Sequence, residues 1–475
     1  MELNMNIKLI SLLGAGPALL AMTLLTAPPL ADLTDNAWHL CGLMAWMILW
    51  WVSEAVPIAV TSLLPMVLVP LLGVATMDAT TAPYAHPLIF LFMGGFTLSI
   101  AMEKTGLHRR LALRALLLAG HKPAAQIASL MAVTAFLSMW MSNTATAVMM
   151  LPIGLSIIAM AKADDDDDFS KAVLLAIAYS ASIGGIATLI GTPPNALLAA
   201  FLAENYQIEL SFARWMLLGV PLAILMLICC WFWLCKLQFH LPAQSSTGNH
   251  NQLTQQLHSL GVLSKAEKTV LLVFVLAATG WIGQQWLARW TGLAISDTLV
   301  AMAAALLLFI LPGNAKTPVL AWKDSEKLPW GILLLFGGGL TMAEQIQKTG
   351  VAQVLAEQLQ VLQGIEPVLV MLAVVVLILL LSEVNSNTAT AAAFLPLLGP
   401  VAMSMQLSPL YLMVPAALAA SLGFMLPVAT PPNAIVFGSG HLKIKDMIKA
   451  GFVMNLVGVM LVVLLAELLV PLLLS

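Results

Sequence analysis

The hexapeptide SNTATA occurs twice, at Ser142–Ala147 and Ser386–Ala391, and the pentapeptide TPPNA occurs twice, at Thr192–Ala196 and Thr430–Ala434. Ser and Thr hydroxyls and Asn amide oxygens are hard donors that suit a hard cation. Paired prolines remove backbone donors and break a helix, so TPPN frees carbonyls that can join such a ligand set. Exposed helix amino termini beside these breaks carry partial positive charge and suit an anion. Neither motif contains Lys, Arg, His, Asp or Glu. The motifs therefore offer no fixed cation to neutralise a bound anion, and a sodium ion held through oxygen ligands would supply that charge. A proton-coupled device would instead show an acid or a His in its core. Glu383 lies near the second SNTATA, but its counterpart by position is Met139, so it reads as structural.

The elements that must position these motifs lie in a membrane. The 475 residues are 60% hydrophobic and 9% charged, with a mean hydropathy of +0.96, too apolar for a soluble protein of this length. Runs of about 20 apolar residues read as transmembrane helices. About eleven are expected, near 7–26, 37–53, 56–74, 87–105, 170–202, 212–236, 264–288, 295–312, 329–347, 407–438 and 446–474. Two further apolar segments, 123–161 and 366–405, are each interrupted at the middle by SNTATA. They fit re-entrant hairpins, which are tolerated where protein or a water-filled cavity covers the tip. The amino-terminal run is expected to be a retained first helix rather than a cleaved leader.

Charge supports this layout. With a cytoplasmic amino terminus, only Arg214, Arg289 and Lys348 of the 20 Lys and Arg fall outside, as the positive-inside rule requires. The carboxy terminus is then outside, in a multi-pass membrane protein. The polar stretch 241–263 reads as a cytoplasmic linker, and the acids at 164–168 as a solvated turn. Cys41, Cys229, Cys230 and Cys235 lack a His or acid partner and read as packing residues. No cluster of His, Asp or Cys at one depth suggests an enzyme. Nothing points to nucleic acid or to an organic cofactor.

The second half restates the first. Phe92-Met93-Gly94-Gly95 matches Phe336-Gly337-Gly338-Gly339 at an offset of 244, as do Lys104-Thr105-Gly106 with Lys348-Thr349-Gly350, Ser138 with Ser382, and Pro152 with Pro396. The TPPNA copies follow at an offset of 238. The expected domains are a first helix in 1–36, one repeat in 37–240, the linker 241–263 and a second repeat in 264–475. Each repeat holds an odd number of crossings plus one hairpin, so the second copy is expected upside down, an inverted repeat. The hairpin tips then meet near the midplane as two halves of one site. The paired glycines read as helix packing. Residues 108–120 read as an amphipathic helix on the inner surface, with a mate at 351–362.

The paired SNT tips, the paired TPPN breaks and the segment LPVATPPNAIVFGSG (426–440) resemble the divalent anion:sodium symporter family, and most closely its bacterial dicarboxylate members. The resemblance covers nearly the whole chain. It implies an all-α polytopic membrane protein, with about 11 transmembrane helices plus two re-entrant hairpins in an inverted repeat. It also implies a homodimer whose scaffold domain holds a transport domain that moves as an elevator. Ser138, Ser142, Asn143 and Gly191 would form a first sodium site; Ser382, Ser386, Asn387 and Ala429 would line a second. Ser142, Asn143, Thr144, Thr192, Pro193, Ser386, Asn387, Thr388, Thr430 and Pro431 would face the substrate carboxylates. Ser382 stands where Thr is common in the family but keeps the hydroxyl. The implied activity is sodium-coupled uptake of a C4-dicarboxylate such as succinate. The alternatives are a sodium-independent dicarboxylate exchanger and a symporter for tricarboxylate or sulfate.

Overall fold

The computed structural model describes residues 2–118, 122–160, 168–241, 248–314, 317–358 and 364–473. The protein is built of helices; among the described residues the β pairing is an isolated bridge between Pro312 and Pro318. The acidic turn lies outside the described residues except for Asp168, as does part of the linker.

Two leading helices, α1 (Glu2–Leu25) and α2 (Asp35–Ser53), pack on each other. The first repeat follows as α3 (Pro87–Thr105), α4 (Leu107–Leu118), α5 (Pro123–Ser138), α6 (Asn143–Met160), α7 (Asp168–Ile186), α8 (Pro193–Tyr206) and α9 (Phe212–Phe232). A helix within the polar stretch, α10 (Gly248–Ser259), docks on α4 and α6, and α11 (Lys265–Ile282) and α12 (Asp297–Ile310) lead onward. The same order then recurs as α13 (Trp330–Lys348), α14 (Val351–Gln358), α15 (Pro367–Val384), α16 (Asn387–Ser404), α17 (Leu410–Ala419), α18 (Pro431–Phe437) and α19 (Ile444–Leu473).

Five described helical stretches are long and apolar enough to span a bilayer, or six when α11 is joined to Gln284–Thr291 across an 81° bend. The sequence suggests eleven continuous spans, and the difference has a physical origin. The runs expected at 170–202 and 407–438 are each two helices separated by a break, because TPPN cannot continue the preceding helix. The run at 56–74 divides into Ile58–Thr61 and Leu64–Leu71, with Pro57, Pro65 and Pro70 in its path.

The centre of the molecule is α7, in which every residue from Phe169 to Ile186 is buried. A helix that is apolar all round sits inside its neighbours rather than at one surface. The α5–α6 hairpin and α9 pack on α7, as the α15–α16 hairpin and α19 pack on α17. Contacts also cross between the halves reciprocally: α6 meets α18 while α16 meets α8, and α7 meets α18 while α17 meets α8. The paired glycines act in packing. A Cβ at Gly94 would sit 2.6 Å from the Ala301 backbone, and one at Gly338 would sit 2.3 Å from the Ser62 carbonyl.

Two ion pairs hold the face on which α3 ends. Arg110 and Glu267, both buried, join at 2.6 Å, and the Arg110 guanidinium also donates to the carbonyls of Leu260 and Gly261. Lys104 meets Asp324 at 2.7 Å and so ties α3 to the 3-10 turn Trp322–Lys327. Burial pushes the Asp324 carboxyl up, but hydrogen bonds from Lys104 and the Ala321 N–H outweigh it and leave its pKa below the usual value.

Candidate functional site

A cavity of about 950 Å³ lies where the hairpin tips meet the helix breaks. Ser142, Asn143, Thr144, Thr192, Pro193, Ser386, Asn387, Thr388, Thr430 and Pro431 all line it, with Gly191 and Ala429. Residues 244 and 238 positions apart in sequence thus share one chamber. The opposite wall comes from the end of α2, from α3 and from the start of α13, through Ser53, Ser99, Ile332 and their neighbours. Its charged residues are Glu54, Glu103 and Lys327, all exposed, so the chamber reaches solvent on that side. Glu54 ends α2 in the left-handed region with φ of 48°, a conformation that costs energy for a residue with a Cβ.

Local chemistry explains how the tips are built. The Ser142 hydroxyl accepts the Ala145 N–H at 3.2 Å and caps α6, whereas Ser386 begins α16 without such a side-chain bond. Thr192 and Thr430 stand in extended conformation before α8 and α18, each with prolines in the first turn, where the missing donor costs nothing. Four helices therefore begin at the cavity, and the positive ends of their dipoles favour a bound anion; the prolines that open α8 and α18 carry no N–H, so those two helices act through the dipole rather than through direct donors. The Thr192 and Ser421 hydroxyls approach to 3.4 Å and join the two breaks directly.

Behind each tip lies a buried oxygen cluster. Ser138 does not line the chamber; it is fully buried, with Oγ 2.6 Å from both Asn143 Oδ1 and the Ala181 carbonyl. One hydroxyl proton cannot satisfy both acceptors, so three oxygens converge with a shortage of protons, an arrangement suited to a small cation. Gly191 borders this cluster. A Cβ there would lie 2.4 Å from the Gly185 carbonyl oxygen, and a Cβ at Gly185 would lie 2.5 Å from Asn143 Oδ1. In the second copy Ser382 is also fully buried, and both Ser382 Oγ and Asn387 Oδ1 lack a hydrogen-bond partner among the described residues. Unpaired buried acceptors are costly, and a cation would relieve the cost. Among the described residues no group of three His, Cys, Asp or Glu converges as a metal site.

The position of Glu383 fits its structural reading. It is buried and accepts the N–H groups of Phe424, Met425 and Leu426 at 2.8 to 3.2 Å, and the Asn455 amide at 2.6 Å. Its carboxylate supplies the acceptors for the N–H groups of the second break, where in the first copy the Met139 backbone carbonyl accepts the Thr188 hydroxyl. Gly185, Ser99 and the N–H clamp at Glu383 were not foreseen. The pattern GG at 184–185, immediately before the end of α7 and a few residues ahead of TPPN, is the signal for the first of these.

The family described as Sodium:sulfate symporter transmembrane region matches residues 7–475, and the chain belongs to it. It is a divalent anion:sodium symporter by family, a multi-pass membrane transporter and not an enzyme. Over 469 residues it is 41% identical to the sodium-dependent dicarboxylate transporter SdcS of Staphylococcus saprophyticus, covering 96% of this chain and 90% of that protein. Against SdcS of Staphylococcus aureus strain USA300 it is 40% identical over 473 residues, covering 97% and 91%. The fold is similar to that of the Alcanivorax borkumensis YdaH transporter, with a TM-score of 0.62 at 14% identity over 91% of this chain and 98% of that one. Neisseria gonorrhoeae MtrF gives 0.57 at 13% identity, covering 85% of each.

Proposed function

We propose that the protein carries a C4-dicarboxylate such as succinate into the cell together with sodium. The observation that carries this reading is the pairing of one anion-suited chamber with two buried oxygen clusters directly behind its two tips. The relatives named for sodium-dependent dicarboxylate transport share about two fifths of its residues across nearly its whole length. In this reading Ser138, Ser142, Asn143 and Gly191 hold one sodium ion, and Ser382, Ser386, Asn387 and Ala429 hold another. The carboxylates lie between the two SNT tips, against Thr192, Pro193, Thr430 and Pro431. The cations neutralise an anion for which the tips supply no fixed charge.

Energetics call for such coupling. Moving a divalent anion into a negative interior costs about 4.6 kcal/mol per 100 mV, twice the cost per charge. Two sodium ions cancel that charge, and a third makes uptake favoured by the potential.

The reciprocal contacts between halves support an inverted repeat, because exchange of partners is what a twofold relation produces. Lys104 at the end of α3 and Lys323 and Lys327 in the turn before α13 lie toward the side where the chamber meets solvent, and by the positive-inside rule they support reading that side as cytoplasmic and the state as inward-facing. The amino terminus is then cytoplasmic and the carboxy terminus outside. The hairpins and breaks form the moving transport domain, with the remaining helices as a scaffold in a homodimer, and the motion is an elevator.

The test is thermal stabilisation of the purified protein. A ligand that binds only the folded state raises the melting temperature. Succinate is expected to stabilise in sodium chloride and not in potassium chloride; equal stabilisation in both salts would refute the sodium-coupled site. Malate, fumarate, citrate and sulfate in the same assay rank the anions.

A further inference from the structure

The asparagine that ends each TPPN motif has a task that the prolines do not explain. Asn195 is fully buried, and its Nδ2 donates to the carbonyls of Thr188 at 2.8 Å and of Gly185 and Ile186 at 3.3 Å. Asn433 is fully buried too, and its Nδ2 donates to the carbonyls of Gly423 at 3.2 Å and Leu426 at 3.0 Å. The end of a helix leaves carbonyls without donors. In the first copy the amide gathers the carbonyls at the end of α7 and one in the break, and in the second it gathers two carbonyls within the break itself.

Both gathered sets border a cation half-site. The Gly185 α-carbon is so near that an added Cβ would lie 2.5 Å from Asn143 Oδ1 and 3.0 Å from the Gly191 carbonyl. At Gly423 an added Cβ would lie 2.9 Å from the Ala429 Cβ and 3.4 Å from the Ser382 carbonyl. In both copies the amide oxygen, Oδ1, is buried and has no donor among the described residues. An orientation that leaves the same acceptor unsatisfied twice is retained for what the NH2 group does.

We propose that Asn195 and Asn433 are positioning residues that set the spacing of the break carbonyls against Ser138–Asn143 and Ser382–Asn387, and so tune sodium affinity at the two half-sites. This rests on the reading of those clusters as sodium sites. The half-sites are not equivalent, because Glu383 independently holds Phe424–Leu426 in the second break.

The experiment is uptake of labelled succinate by proteoliposomes over a sodium chloride series balanced with choline chloride. Asn195→Ala is expected to raise the half-saturating sodium concentration about tenfold, the loss of one to two hydrogen bonds. Asn433→Ala is expected to raise it less, about threefold, because Glu383 remains. The KM for succinate at saturating sodium stays within about twofold of the wild type; a general loss of fold would instead lower the maximal rate and leave the half-saturating sodium concentration unchanged. Asn195→Ser, which keeps a small donor, gives an intermediate sodium dependence and serves where the alanine variant does not fold. A sodium-dependent wild type with variants of unchanged sodium dependence overturns this proposal alone. A wild type with no sodium dependence overturns the sodium reading and the proposal with it.

Discussion

Gly191→Ala perturbs the first cation half-site without removing a single oxygen. The added Cβ would lie 2.4 Å from the Gly185 carbonyl oxygen and 2.9 Å from Gly185 C and Cα. All three are backbone atoms, so no flexible side chain can give way. Restoring an ordinary contact of 3.4 Å requires the break to open by about 1 Å. That displacement falls between Gly185 and Gly191, beside Asn143 Oδ1, and a misplacement of about 1 Å in a positioned site costs about a hundredfold. The half-saturating sodium concentration for succinate uptake is therefore expected to rise by about that factor. Gly94→Ala is the control, because its Cβ meets the Ala301 backbone at 2.6 Å, away from the cavity. It is expected to lower the melting temperature and leave the sodium dependence unchanged. A Gly191→Ala protein with wild-type sodium dependence, or a Gly94→Ala protein with the same sodium defect, would refute the reasoning.

Other variants test other parts of the structure. Asn143→Ala and Asn387→Ala are each expected to abolish succinate uptake with expression intact, read by transport and by size-exclusion profile; normal uptake by either removes that residue from the site. Glu383→Gln replaces one acceptor oxygen with a donor among backbone N–H groups and is expected to cost about 2 kcal/mol of stability, read by thermal unfolding. The residual uptake of that variant should keep the wild-type pH profile, whereas loss of pH dependence would make Glu383 a proton carrier. The Asp324 carboxyl has a lowered folded pKa, so its stabilisation is present above the unfolded carboxylate value of about 3.9 and is lost as pH falls through the folded value. Melting curves from about pH 5 to pH 3 should therefore lose less stability in Asp324→Asn than in the wild type.

Much of the site was legible because its residues are written twice. The offset of 244 paired the tips, and the structure places all ten expected substrate-facing residues around one chamber. Ser138 and Ser382 were paired by the same offset and lie behind the tips, fully buried. The interrupted spans were harder to see, because hydropathy averages over a break: Ala187–Thr192 and Ala420–Thr430 are too short or too apolar to divide a run by composition. The prolines marked where helices restart but not where the preceding ones end. The role of Glu383 was visible only as an unmatched acid, since the N–H groups it accepts lie 41 to 43 residues away. The opposite wall, with Ser99, Glu103 and Lys327, carries no motif and depends on tertiary packing alone.

The most direct measurement is uptake of labelled succinate into proteoliposomes, with and without an inward sodium gradient, at matched membrane potential. Uptake that requires the sodium gradient, with no need for internal dicarboxylate, is the expected result. Uptake that ignores sodium but requires internal dicarboxylate would contradict it: the protein would then be an exchanger, and the buried oxygen clusters around Ser138 and Ser382 would have another purpose.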